Sequence, residues 1–168
     1  MNKIGVFYGS TTGTTEDLAR RIAEKLDVPS AHIYDVSKLT EALVGEYDVL
    51  VLGSSTWGAG ELQDDWYDGI KILKKCDLSH KYVALFGCGD SESYCDTFCD
   101  GMGIIYEDIK DSGCTIIGKV SAKDYSFSSS IAVIDGMFVG LALDDINESD
   151  KTEERIDAWV NDIKNHLA

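Results

Sequence analysis

Proline is almost missing from this chain: Pro29 is the single one in 168 residues. With a hydrophobic fraction of 44%, so little proline describes a compact protein. No internal repeat, low-complexity tract or linker interrupts it, and this length is expected to fold as one domain over residues 1–168. Basic residues are scarce as well. Thirty Asp and Glu face fifteen Lys and Arg, a formal charge of −15. That balance argues against nucleic acid and anionic membranes as partners and favours basic protein surfaces. Long apolar runs are also lacking: nothing approaches the ~20 residues that span a bilayer. Met1-Asn2-Lys3 leads directly into strand-like sequence, without the charged and apolar regions of an export signal. The expected location is therefore cytoplasmic.

The cysteines are few and odd in number: Cys76, Cys88, Cys95, Cys99 and Cys114. An odd set in a chain without an export signal does not make a disulfide framework. Cys95 and Cys99 would share a helix face if both were helical, with Cys88 close by, so a metal site has to be weighed. The spacing lacks a second ligand pair, and His32, His80 and His166 are scattered. Thiols that behave as small apolar groups are the expectation, with no metal.

What is present begins with the first turn, Gly9-Ser10-Thr11-Thr12-Gly13-Thr14-Thr15, between the apolar run Ile4–Tyr8 and a helical pattern starting near Glu16. Five of these seven residues carry hydroxyls and two are glycines. Glycine lets backbone N–H groups turn towards an anion, and a helix start adds unpaired donors and the positive end of its dipole. The loop holds no Lys or Arg and is neither a triphosphate loop nor Gly-x-Gly-x-x-Gly. A neutral cage suits one terminal phosphate monoester. The competing interpretation is an ordinary polar turn, since Ser, Thr and Gly are common in turns.

Further along, Leu18, Ile22 and Leu26 make one helical stripe, with Glu16 and Asp17 in its first turn. Residues 31–36 predict a short strand and residues 39–44 at most a brief helix. Tyr47–Gly53 predicts a buried strand, residues 66–73 a helix, Tyr82–Gly87 a strand, Phe98–Ser112 a helix and Thr115–Ile117 the start of a fifth strand. From Ala122 to Asp145 the periodicity fails, which suggests an inserted excursion. Ile156, Trp159, Val160, Ile163 and Leu167 mark the last helix, with Thr152 as its candidate cap. Apolar strands alternating with helices predict an α/β fold: parallel pairing, right-handed crossovers and helices on both faces. Ligands then gather beyond the carboxyl ends of the strands.

Two of those loops carry an aromatic residue among small and acidic ones. Trp57 stands in Gly53-Ser54-Ser55-Thr56-Trp57-Gly58-Ala59-Gly60-Glu61-Leu62, and Tyr94 in the stretch from Gly87 to Asp100. Trp57 either folds back on the core, as Trp66 is expected to, or joins Tyr94 in clamping a flat ring beside the phosphate cage.

The loop Ser10–Thr15, the stretch Ser54–Gly58, the stretch from Gly87-Cys88-Gly89-Asp90 through Tyr94, Phe98 and Asp100, and Gly140–Asp144 together resemble flavodoxin, over the whole chain and in order. The excursion near residues 120–140 is similar to the insert that splits the fifth strand in long-chain members. The resemblance implies a doubly wound five-stranded parallel sheet of order 2-1-3-4-5 with FMN at its switch point, an order carried over from the family. It implies one-electron transfer between larger redox enzymes, such as ferredoxin or flavodoxin reductases, by a monomer that is not itself an enzyme. It assigns the phosphate to Ser10, Thr11, Thr12, Gly13, Thr14 and Thr15, and the ring faces to Trp57 and Tyr94. Polar contacts to the ring and ribityl chain would come from around Ser55, Thr56, Gly58, Ala59, Cys88, Gly89, Asp90, Cys99 and Asp145. It also suggests that the Gly58 carbonyl turns towards the ring nitrogen N5 on one-electron reduction. Cys88, Cys95, Thr97 and Cys99 stand where amide or hydroxyl side chains are more usual, and Gly101 where alanine is.

Charge placement fits this function independently. Glu61, Asp64, Asp65 and Asp68, and Asp90, Glu92, Asp96 and Asp100, fall in the two clamp stretches, which hold no Lys or Arg. One carboxylate about 12 Å away contributes roughly 0.3–0.7 kcal/mol against an added electron at ε near 40–80, about 15–30 mV for one electron. Two rivals use the same chemistry differently. A receiver-like signalling module needs an acidic pair after strand one and an Asp ending strand three, where this chain has Tyr8-Gly9 and Gly53-Ser54. A quinone or NAD(P)H reductase needs a substrate pocket above the ring, for which two covering aromatics leave little room.

Overall fold

The computed structural model describes residues 2–57 and 59–168. Three long strands form the centre of a parallel sheet: β1 (Ile4–Gly9), β3 (Val49–Trp57) and β5 (Tyr82–Cys88). β1 pairs with β3, with Val6 opposite Val51, and β3 pairs with β5, with Val51 opposite Ala84. The short β2 (Ile33–Asp35) flanks β1 on the outside. The strand order therefore reverses direction between β1 and β3, and the loops beyond their carboxyl ends open side by side.

The fifth position of the sheet is shared by two pieces. β6 (Thr115–Ile117) lies along the amino half of β5, with Thr115 opposite Tyr82. β10 (Leu141–Leu143) lies along its carboxyl half, with Leu143 opposite Cys88. Between them the chain makes a small antiparallel sheet of β7 (Val120–Ser121), β8 (Val133–Ile134) and β9 (Met137–Phe138). The order 2-1-3-4-5 and the insert dividing strand five thus agree with expectation.

Both faces of the central strands are buried, so alternate residues feed separate cores. Val49 and Val51 pack with Leu18, Ile22, Ile156 and Trp159 of α1 (Thr14–Lys25) and α5 (Ser149–Leu167). Leu50 and Leu52 pack with Trp66, Leu73, Met102 and Ile105 of α3 (Asp65–Lys74) and α4 (Asp100–Ile109). α2 (Glu41–Gly45) is a single turn capped by the Thr40 hydroxyl.

The structure corrects several sequence expectations. α1 begins at Thr14, because Gly13 takes a left-handed conformation (φ 95°) at its N-cap. β3 extends past Gly53 to Trp57, since β4 (Glu61–Leu62) folds back and pairs with its last residues. The helix expected from Phe98 starts only at Asp100: Cys99 is left-handed (φ 55°) and Phe98 N–H is drawn to Ser129 O. Cys95 and Cys99 therefore do not share a helix face. Thr152 is not a cap; α5 starts at Ser149, and the buried Thr152 hydroxyl donates to Asp145 Oδ1 (2.9 Å).

Candidate functional site

The turn after β1 carries its hydroxyls outward. Thr11, Thr12, Gly13 and Thr14 are exposed and Ser10 half-buried. Gly13 N–H donates to Ser10 Oγ (3.0 Å). Among the described residues the N–H groups of Thr11, Thr12, Thr14 and Thr15 find no protein acceptor, at the positive end of a twelve-residue helix. Such unpaired donors need water or an anion. Thr15 differs from its neighbours: it is buried, and its hydroxyl shares a hydrogen bond with Cys88 Sγ (3.0 Å). Gln63, which nothing in the sequence singled out, reaches Thr11 Oγ1 from β4's far end (3.3 Å) and holds the start of α3 through Asp65. Its signal was modest: a neutral amide in an otherwise acidic stretch.

Beside this turn lies a cavity of about 190 Å³. Thr12, Thr14, Ser55, Thr56 and Cys88 line it. So do Gly89, Asp90 and Asp145, together with the aromatic side chains of Trp57 and Tyr94. Trp57 is 38% exposed and Tyr94 50%, whereas Trp66 is fully buried and donates its indole N–H to Gly53 O. Trp57 thus does not fold back on the core; its indole N–H is held by Ser55 Oγ (2.8 Å). Thr97, Phe98 and Ile146 also line the cavity, and Ile146, 70% exposed, was not foreseen. Ser10, Thr11, Gly13, Thr15, Ala59 and Cys99 do not line it with the others; Ala59 is exposed in the turn, and Cys99 is buried behind Gly89. Gly58 and the carbonyl motion expected of it lie outside the described residues.

The loop bearing Tyr94 is shaped by two carboxylates. Asp90 Oδ1 accepts from Glu92 N–H (3.2 Å), Ser93 N–H (2.9 Å) and Asn147 Nδ2 (2.8 Å). The Ser93 N–H, with Asn147, holds the Asp90 carboxyl below its ordinary value. Asp144, fully buried at the end of β10, accepts from Ser91 N–H (3.0 Å) and Oγ and from Asn147 Nδ2 (3.0 Å) on Oδ2. Its Oδ1 accepts from the N–H groups of Ile146 (3.2 Å) and Asn147 (2.9 Å). Burial pushes this carboxyl up, but the donors outweigh burial and the net shift is downward. A carboxylate ending an apolar strand was the signal for Asp144.

The thiols nearest the cavity are quiet. Burial pushes Cys88 up to about 11 and Cys99 well above its ordinary value. All five cysteines are unpaired, and among the described residues no three His, Cys, Asp or Glu side chains converge for a metal ion. A larger groove, about 770 Å³, runs between α5 and the insert. Its Arg155 is already engaged by Glu148 (3.2 Å), Asp124 O and the Tyr125 ring. No helix among the described residues is long and apolar enough to cross a membrane.

The chain is similar to known proteins. Residues 6–159 match the family model described as Flavodoxin. The chain is 43% identical to Flavodoxin of Buchnera aphidicola over 164 residues, covering 97% of this chain and 96% of that one. It is 41% identical to Flavodoxin 1 of Escherichia coli K12, covering 97% and 93%. A crystal structure of Fusobacterium nucleatum flavodoxin bound to flavin mononucleotide superposes with a TM-score of 0.89 at 28% identity, covering 99% of each chain. With its switch-point cavity, its hydroxyl-rich turn free of Lys and Arg, and these relatives, the chain belongs to the flavodoxin family of FMN-based electron-transfer proteins.

Proposed function

We propose that this chain is one flavodoxin domain, of the long-chain type by its divided fifth strand, carrying single electrons at low potential on non-covalent FMN. The observation that carries the reading is the junction of two unlike features. A turn of hydroxyls and unpaired N–H donors, without Lys or Arg, suits the dianionic phosphate of FMN. A cavity lined by two half-exposed aromatics suits its ring. When bound, FMN supplies a ring that accepts and returns one electron at a time. The chain's own part is to bind, to cover and to set the electrostatics. Ser10, Thr11, Thr12, Gly13, Thr14 and Thr15 hold the phosphate through N–H and hydroxyl groups. Thr15 does so through its backbone N–H, because its hydroxyl is turned inward onto Cys88 Sγ (3.0 Å). Trp57 and Tyr94 exclude water from the ring, while Ser55, Thr56, Gly58, Ala59, Gly89, Asp90, Cys99 and Asp145 provide its polar surroundings, Cys99 through its backbone.

Passing electrons to redox partners requires an edge that a partner can reach. Around the cavity Glu61, Asp64, Asp65, Asp68, Glu92 and Asp96 are exposed, a rim suited to basic-surfaced reductases and oxidoreductases met by a monomer in the cytoplasm. Asp100 does not belong to that rim, because it is buried.

The purified chain is expected to be yellow and to release FMN, not FAD, on denaturation, measured by absorbance and chromatography. Riboflavin should bind more weakly than FMN. Thr12→Ala should weaken FMN by about 1–2 kcal/mol, the scale of a hydrogen bond to a charged group, and leave riboflavin nearly unchanged. Equal affinity for FMN and riboflavin would remove residues 10–15 as the phosphate site.

A further inference from the structure

The small antiparallel sheet leaves a strand edge open beside the larger groove. β7 pairs with β9 alone and lies at one side of that sheet. Ala122 N–H donates to Gly136 O (3.1 Å), which makes Ala122 and Val120 the hydrogen-bonded positions of the ladder. Ser121 between them turns its N–H and C=O away from β9. Among the described residues neither of these groups has a partner, and neither has the N–H or the C=O of Lys119. Lys119, Val120 and Ser121 line the groove of about 770 Å³ together with α5. Glu154, Ala158 and Asp162 succeed one another at four-residue spacing, which sets them on one helix face, and all three line the groove. Glu154 and Asp162 are exposed and make no ion pair among the described residues, whereas Lys151 and Arg155 are both held by Glu148. Val120, Leu141 and Trp159 add apolar surface.

We propose that this groove takes an extended, basic peptide segment of a partner protein, which pairs with the backbone of Lys119 and Ser121 and meets Glu154 and Asp162 with its Lys or Arg side chains. An open strand edge supplies main-chain hydrogen bonds to such a segment, and the surface beside it selects the side chains. The volume lies within the ~300–1,000 Å³ of ordinary ligand clefts. The unpaired charge of the groove is acidic, with Asp124, Glu154 and Asp162 against Lys119 among the described residues. A second copy of this chain is the poorer occupant, because it brings the same charge of −15. The groove shares no lining residue with the flavin cavity, so a segment held here tethers its protein without covering that cavity. Tethering raises the effective concentration of the partner at the acidic rim. That consequence rests on the FMN reading, whereas the peptide site itself does not.

The probe is a fluorescent, end-blocked octapeptide of alternating lysine and valine, titrated into the purified full chain by anisotropy. Hydrogen–deuterium exchange locates the contact. The peptide should bind, slow exchange at residues 119–121 and leave residues 54–62 and 88–99 as they were. A strand offers alternate N–H groups to one edge, so two further peptides carry N-methyl groups on all valine or on all lysine nitrogens. At least one of them should bind about tenfold more weakly, the scale of a lost hydrogen bond or more. Ser121→Pro, which removes the outward N–H, should weaken the parent peptide by a similar factor. Glu154→Lys with Asp162→Lys should weaken it and flatten its salt dependence, whereas Asp64→Lys with Glu92→Lys should leave it unchanged. No binding, or parent-like binding of both methylated peptides, would overturn the proposal. So would loss of binding on reversing Asp64 and Glu92 but not Glu154 and Asp162, since the peptide would then be following the acidic rim. If Ser121→Pro does not fold, the methylated peptides decide the question on the parent chain. FMN content is read in the same samples: a chain that binds the peptide at residues 119–121 but no flavin keeps the groove and loses the electron-transfer reading.

Discussion

Asp144 shows how one residue can hold a site it does not touch. Its carboxylate is buried, accepts five hydrogen bonds from Ser91, Ile146 and Asn147, and ties the Tyr94 loop to the end of β10. Its folded value is held below the ordinary 3.8, so it contributes stability that is fully present above the unfolded carboxylate range near 3.9. That contribution is lost as pH falls through the folded value. Asp144→Ala should cost about 3 kcal/mol at pH 7, since several donors lose a charged acceptor. The gap between variant and parent should narrow between pH 5 and pH 2, as protonation removes the same charge from the parent (roughly the range over which a paired carboxylate titrates). Urea midpoints measured across that range check both statements; a gap that does not change with pH would deny Asp144 its charged role.

Among the elements, α4 and the insert meet with little room. A Cβ on Gly103 would stand 2.8 Å from Ala132 N and 2.9 Å from Ile131 C, backbone atoms that cannot rotate aside. Helix propensity alone would reward Gly103→Ala by about 1 kcal/mol, and overpacking against backbone costs about 1–3 kcal/mol. The net expectation is a loss of stability of about 1 kcal/mol together with faster exchange in residues 128–134. A stabilised variant would mean that the insert yields at that contact. This seam could not be read from the sequence. Gly103 in a helical pattern looks like a weak position, and the insert that crowds it had no periodicity to place it. The β3–β4 hairpin was hidden for a related reason, because two-residue strands leave no alternation to detect.

The charge of −15 acts at the scale of the whole molecule. Basic groups of α1 are largely consumed locally: Arg21 and Lys25 meet Glu153, and Lys25 also meets Asp157 (2.5 Å), across the face opposite α3 and α4. Carboxylates around the cavity have few such partners; Asp64 and Glu92 are exposed and make no ion pair among the described residues. Association with a basic reductase should therefore slow as salt rises, because exposed charges are screened beyond about 8–10 Å at 0.1–0.15 M. Asp64→Lys with Glu92→Lys should lower the association rate several-fold at low ionic strength, within the ~10–1000-fold range available to steering, and change the unfolding midpoint little. Stopped-flow electron transfer at several salt concentrations measures it, and a rate indifferent to both salt and reversal would sink acidic steering.

By itself the amino-acid sequence determined the α/β class, the hydroxyl-rich turn after β1 and the two aromatics on neighbouring loops. Each of these is written in local chemistry: apolar runs of strand length, side chains able to face an anion, and rings that small neighbours cannot cover. Only the tertiary structure decided that Thr15 turns inward to Cys88, that Thr152 serves Asp145 rather than capping α5, and that Asp100 faces the insert and Gly60 instead of solvent. Those outcomes depend on contacts between residues far apart in the chain. A carboxylate's or hydroxyl's role is set by the donors and backbone brought against it, and folding alone supplies those neighbours.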